Sequence, residues 1–186
     1  SSGLGKVSSG LSSIASKAMP ASIAITATFA KGIRAATNFN GKMTEIQALL
    51  SDGTPANVLS KQMDTLSDKS KQWARQYGID TSSINDGMEE MIKRGYDFNQ
   101  TVGAMPAVLD ASRASGEDFG TVMSASTAIL EQFGLKTEDT ASMMKNTQRV
   151  TDSLTFVANK TSAGFEDMGV AMEYVGPVAH SLGMNV

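Results

Sequence analysis

The sequence has 186 residues, with 16 Lys and Arg against 19 Asp and Glu, one His and no Cys. That length suits one domain, or a compact domain with an extended arm. The absence of Cys removes disulfides, thiolate catalysis and zinc–thiolate sites together, and the basic residues are too dispersed for a nucleic-acid patch, which needs clustered Lys and Arg with stacking aromatics.

Charge is unevenly placed. Residues 1–50 carry Lys6, Lys17, Lys31, Arg34 and Lys42 against Glu45 alone, and the rest of the chain is acidic. This reads as a basic arm on an acidic body, able to bind an acidic partner or its own body. Aromatics make up 6% of the chain, so the apolar surface comes from Ala, Leu, Ile, Val and twelve Met. Met fills irregular gaps between helices, so this composition fits helix–helix interiors.

In chain order, residues 1–19 are rich in Ser and Gly and read as a flexible lead-in. No secretory signal is expected, because no basic stretch followed by a small-residue cleavage site opens the chain. The chain starts without Met and stops at Asn185-Val186, as expected of a piece of a longer protein. Residues 20–50 read as one long N-terminal helix, with Phe29, Ile33, Ala36, Met43 and Leu50 at heptad-like spacing. Gly32 and Gly41 weaken it, so it needs neighbours to hold it.

Ser51-Asp52-Gly53 marks a break, and Thr54-Pro55 predicts an N-cap followed by Pro at the first helical position. Residues 54–186 then read as a helical bundle. The first helix carries Leu59, Met63, Leu66, Ser70, Trp73 and Tyr77 on one face. Trp73, the single Trp, is expected to be a buried packing anchor. A punctuation then repeats at Gly78, Gly95, Gly134 and Gly183: a Gly ends a helix, an apolar residue follows, and a polar residue comes next. Such a Gly takes the left-handed conformation, and the apolar residue folds back on the last turn. Asp97-x-x-Gln100 and Ser115-x-x-Asp118 resemble capping boxes.

The remaining faces are seams for helix packing. Phe119, Val122, Met123, Ser126, Ile129, Leu130 and Phe133 form one stripe. Met143, Thr147, Val150, Leu154 and Val157 form a second, and Phe165, Met168, Met172, Val175, Ala179 and Leu182 a third. Within these seams Trp73, Phe119, Ile129, Phe133, Val150, Leu154, Phe165, Met172 and Leu182 are the expected helix–helix packing residues. Gly78, Gly95, Gly134 and Gly183 are the expected helix-terminating turns. Pro106 and Pro177 should kink or restart their helices. No period-two alternation is sustained anywhere. The predicted fold is all-α, an irregular multi-helix bundle of helical hairpins with an extended N-terminal helix or arm.

Chemistry is sparse. His180, the single imidazole, has no Cys and no defined carboxylate partner, so a structural role is expected; a zinc site would need three further oxygen ligands. Of the acidic pairs, Glu117-Asp118, Glu138-Asp139 and Glu166-Asp167 are placed to complement helix dipoles, and Glu89-Glu90 completes the set. No spacing marks a glycosidase pair, a phosphate-binding loop, a nucleophile elbow or an EF-hand. Neither enzymatic activity nor a metal or cofactor is expected.

Several segments, taken in order, resemble the core region of phage tail tape measure proteins. They are FAKGIRAATNFNGKMTEIQALL, MEEMIKRGYDF, AMPAVLDASRASGEDFGTVMSASTAILEQFGL and FEDMGVAMEYVGPVAHSLGM. One departure lies near Met91-Ile92-Lys93-Arg94, where the family often has small apolar residues. The resemblance implies a non-enzymatic, mostly helical virion structural protein. Such a protein fills the tail tube, sets tail length during assembly and leaves at genome ejection. The partners it implies are further copies of itself, tail tube and tail tip proteins and tail assembly chaperones, with no specific nucleic acid. Its implied location is the tail lumen, after the host cytoplasm during assembly, with membrane contact left to other parts of a longer chain. The alternatives are a helical protein-interaction bundle and a membrane-active injected protein.

Overall fold

A computed structural model describes residues 22–184; the expected lead-in over residues 1–19 and the start of the N-terminal helix lie outside the described residues. Seven α-helices and no strands are present among them: α1 Ser22–Leu50, α2 Ala56–Tyr77, α3 Thr81–Lys93, α4 Phe98–Ser115, α5 Phe119–Gln132, α6 Thr140–Lys160 and α7 Phe165–Ser181. The protein is all-α.

The chain divides between Asn40 and Gly41 into two compact units. In the first, residues 32–40 are helical and exposed apart from half-buried Phe39. Ile33 and Ala36 of the heptad-like stripe therefore face water, while Phe29 lies outside the described side chains. In the second unit the stripe is buried, through Met43, Ile46 and Leu50.

Within the second unit several helix boundaries have a local chemical cause. α2 starts one residue later than the Thr54 signal suggested. Pro55 occupies the cap position with no side-chain cap, and its carbonyl accepts from the Val58 and Leu59 N–H groups at 2.9 Å each. α4 opens with a full capping box. Asp97 accepts from the Gln100 N–H at 2.7 Å, and the Asp97 N–H donates to Gln100 Oε1 at 2.9 Å. The expected box at Ser115-x-x-Asp118 is not made. Ser115 is the last residue of α4 and turns back on the Ala111 carbonyl, while Asp118 itself caps α5 through the Gly120 and Thr121 N–H groups. Asp139 likewise caps α6 through the Ser142 N–H at 2.7 Å.

Gly78, Gly95, Gly134 and Gly183 all have positive φ, from 61° to 78°. At three of them the residue after the Gly closes a six-to-one bond: Tyr96 to Met91 O, Leu135 to Leu130 O and Met184 to Ala179 O, at 2.8–3.0 Å. Only glycine takes this backbone conformation without a Cβ clash. Pro106 and Pro177 sit inside continuous α4 and α7, so neither restarts its helix.

Short turns between helices do bring sequence neighbours together, but the most extensive pairings skip one helix: α4 lies against α6, and α5 against α7. Gly–Ala-sized positions permit the close approach. A Cβ built on Gly103 of α4 meets the Thr140 carbonyl at 2.5 Å and Met143 Cβ at 3.0 Å. One built on Gly169 of α7 meets Ala125 Cβ at 3.2 Å.

Candidate packing and assembly surfaces

The interior is built from the stripes of α2 to α7. Leu59, Leu66, Ser70 and Trp73 bury the inner face of α2, and the Ser70 hydroxyl donates to buried Asn85 of α3. Phe119, at the first turn of α5, lies over Gly87 of α3 so closely that a Cβ there meets the ring at 2.5 Å. Ile129, Leu130 and Phe133 continue that face, all buried. On α6, Met143, Thr147, Val150 and Leu154 are buried, while Val157 is exposed.

α7 departs from the expected stripe. Phe165 is buried and Met172 half-buried, but Leu182 is 74% exposed. The inner line is Phe165, Gly169, Gly176 and Ala179, with half-buried Met172 among them. At 100° per residue Val175 and Leu182 drift off this line, and the helix has ended at Ser181 before Leu182 is reached. Gly169 and Gly176 let α5 come close at this line: a Cβ on Gly176 collides with the Gln132 side chain.

Around this interior lie charged groups with structural work. Lys42, on the last turns of α1, donates to Glu89 at 2.7 Å and pairs with Glu45 at 3.1 Å and Asp86 at 3.2 Å. Glu89 also accepts from Lys93 at 2.6 Å, and its side chain is only 9% exposed. The Lys42 and Lys93 ammonium groups hold the Glu89 carboxyl below its usual range, and the three carboxylates raise Lys42. The network ties the end of α1 to α3. It escaped sequence reading, although an acid set among Ile84, Met88, Met91 and Ile92 is a signal that a cation must reach it. Lys136, after α5, donates to the Gly95 carbonyl at 2.7 Å and lies 4.3 Å from the Tyr96 ring centroid, sealing the C-terminus of α3.

His180 meets Phe133 edge-on, with ring centroids 6.0 Å apart. Of the acidic pairs, Asp118 and Asp139 are caps themselves, and Asp167 accepts from the Gly164 N–H at 3.1 Å. An open groove of about 430 Å³ between α5 and α7 is lined by Asp118, Ser124, Glu166 and Glu173. No group of three His, Cys, Asp or Glu is placed to hold a metal ion among the described residues, and none of their helices is long and apolar enough to cross a membrane.

An all-helical packing surface fits the comparisons. Residues 67–186 match the family described as phage-related minor tail protein. The chain belongs to that family. It is also 26% identical over 157 residues to a tape measure protein of Pneumococcus phage Dp-1, covering 84% of this chain and 12% of that protein. The chain thus spans about an eighth of its relative's length, and no solved structure matches it. Within this phage tail family the matched region starts in mid-α2 and includes both interleaved helix pairs.

Proposed function

We propose that this chain is a segment of a tape measure protein: a non-enzymatic tail component that lies in the tail tube, sets tail length during assembly and is released at genome ejection. The supporting observation is the similarity to a phage tape measure protein over most of the chain. The physical arrangement agrees with such a role. A helix rises about 1.5 Å per residue, so a helical chain is a ruler proportional to its length. The bundle is stapled by side-chain contacts between helices and by no disulfide. Its helices are therefore free to part and rejoin end to end if the tube demands it. Further copies of the chain, tube and tip proteins and assembly chaperones are the partners in this reading.

Mass spectrometry of purified virions and of particles emptied of DNA tests the location and the release. Peptides from this segment are expected in intact tails and strongly depleted in emptied ones. Equal recovery from both would contradict release, and absence from intact tails would contradict the reading altogether.

A further inference from the structure

Most of the interior is joined by helices that approach closely along their backbones. α1 is not: among the described residues it makes no such pairing with another helix. Its last turns are held by side chains instead. Met43, Ile46 and Leu50, three and four residues apart, are buried, Ile46 fully so. Beside them two ion pairs cross to α3, both made by Lys42, to Glu89 at 2.7 Å and to Asp86 at 3.2 Å. Each end of the main crossing has a second partner on its own helix. Lys42 has Glu45 three residues on at 3.1 Å, and Glu89 has Lys93 four residues on at 2.6 Å. The Asp86 side chain is 58% exposed and open to water. Parting α1 from α3 therefore strands no charge, which is the step that makes a buried ion pair hard to break. The chain after Leu50 is free to bend. Ser51, Asp52 and Gly53 are exposed, and the turn bonds there are long, at 3.3 and 3.4 Å. Gly53 has a φ of 68° with open space around it, and α2 starts without a side-chain cap.

We propose that residues 41–50 form a releasable clip, hinged at residues 51–55 and held shut by the Lys42 ion pairs, which opens as ionic strength rises while α2 to α7 stay folded. Burial of Met43, Ile46 and Leu50 keeps the clip closed most of the time, and the crossing pairs set how often it opens. Partly exposed charges are screened once the Debye length falls from about 10 Å at 0.1 M salt to about 3 Å at 1 M. The seam of α4 with α6 rests on buried Met143, Val150 and Leu154 instead, and screening leaves it as it is. A hinge of a few loop residues is enough to absorb such a motion. In the tape measure reading this names the first contact to part when the helices separate. The clip rests on that reading only for its use in the tail. Opening of the purified chain is measured without phage, so either conclusion can fail alone.

Thiol labelling of single-cysteine variants is the test, since the chain has no Cys of its own. Ile46→Cys reports the clip and Val150→Cys, on α6, reports the body; both sites are fully buried. Fluorescence of Trp73, buried on α2, checks that each variant is folded. From about 0.1 M to about 1 M sodium chloride the Ile46→Cys thiol should label roughly five-fold faster or more, as the crossing pairs are screened. Val150→Cys should not respond. Adding Lys42→Met to Ile46→Cys should speed labelling at low salt and remove the salt dependence. Amide hydrogen exchange over residues 43–50 of the unaltered chain reads the same opening without a substitution, and it decides the matter if Ile46→Cys does not fold. Salt-independent opening of residues 43–50, equal labelling at Ile46→Cys and Val150→Cys at every salt concentration, or a salt dependence that survives Lys42→Met would each overturn the proposal.

Discussion

The α4–α6 pair and the α5–α7 pair are built to one plan and finished differently. In each, a helix lies against the one two places later, with a glycine at the point of closest approach. α6 brings a broad buried seam of Met143, Thr147, Val150, Thr151 and Leu154, and its outer face mixes charge with Met144, Phe156 and Val157. α7 brings a narrow seam in which Gly169 and Gly176 replace bulk, and turns apolar side chains outward. One-sided burial accounts for neither helix in full, since α6 exposes Phe156 at 64% and α7 exposes Tyr174 at 79%.

Truncation at the base of each seam should have the largest effect. Phe165→Ala at the start of α7 is expected to cost about 3–5 kcal/mol, and Met143→Ala in α6 about 2–5 kcal/mol, as buried side chains replaced by cavities. Urea unfolding of each variant checks both. A loss below about 1 kcal/mol at Phe165 would mean that α7 is not part of the cooperative core. The glycines sharpen the contrast. Gly103→Ala drives a methyl into the Thr140 backbone, which cannot step aside, and should cost about 1–3 kcal/mol. Gly169→Ala meets only another alanine at 3.2 Å and should cost under about 1 kcal/mol. Gly176→Ala collides with the movable end of Gln132, and helix propensity gains of up to about 1 kcal/mol offset the repacking. An equal loss at all three would show that the two pairs are equally tight.

The helices, their order and their glycine turns could be read from sequence because each has a local cause: a 3.6-residue stripe, a cap, a left-handed Gly. The interleaving could not, since nothing local in α4 states whether α5 or α6 will cover it. The same limit explains α7. Spacing alone favoured Val175 and Leu182, which the structure leaves exposed, while Gly169 and Gly176 lie on the buried line against α5. Lys42 and Glu89 are far apart in the chain, so their pairing was hidden as well, even though a buried acid on an apolar stripe asked for a cation.

That ion network sets a third comparison, between the α1–α3 junction and the two apolar pairs. Glu89 has a lowered carboxyl pKa in the fold, so its contribution is present above the unfolded value of about 4.5 and is lost as pH falls through the folded value. Glu89→Gln should therefore destabilise the protein at neutral pH and flatten the fall in stability on acidification below pH 4.5. Thermal unfolding across pH reads both, and an unchanged slope would remove the network from the account. The smallest effects belong to the caps. Asp139→Ala, which leaves the Ser142 N–H without its carboxylate, should cost about 1 kcal/mol, with the loss read as a lower urea midpoint at unchanged slope.

All these contacts belong to the second unit, and the proposed ruler requires them to open. The most direct measurement is tail length by electron microscopy in phage carrying in-frame deletions within residues 56–181. The account predicts that tails shorten by about 1.5 Å per deleted residue, the rise of one continuous helix. Tails that assemble at unchanged length would contradict it, and would leave this segment as a folded body that takes no part in measuring.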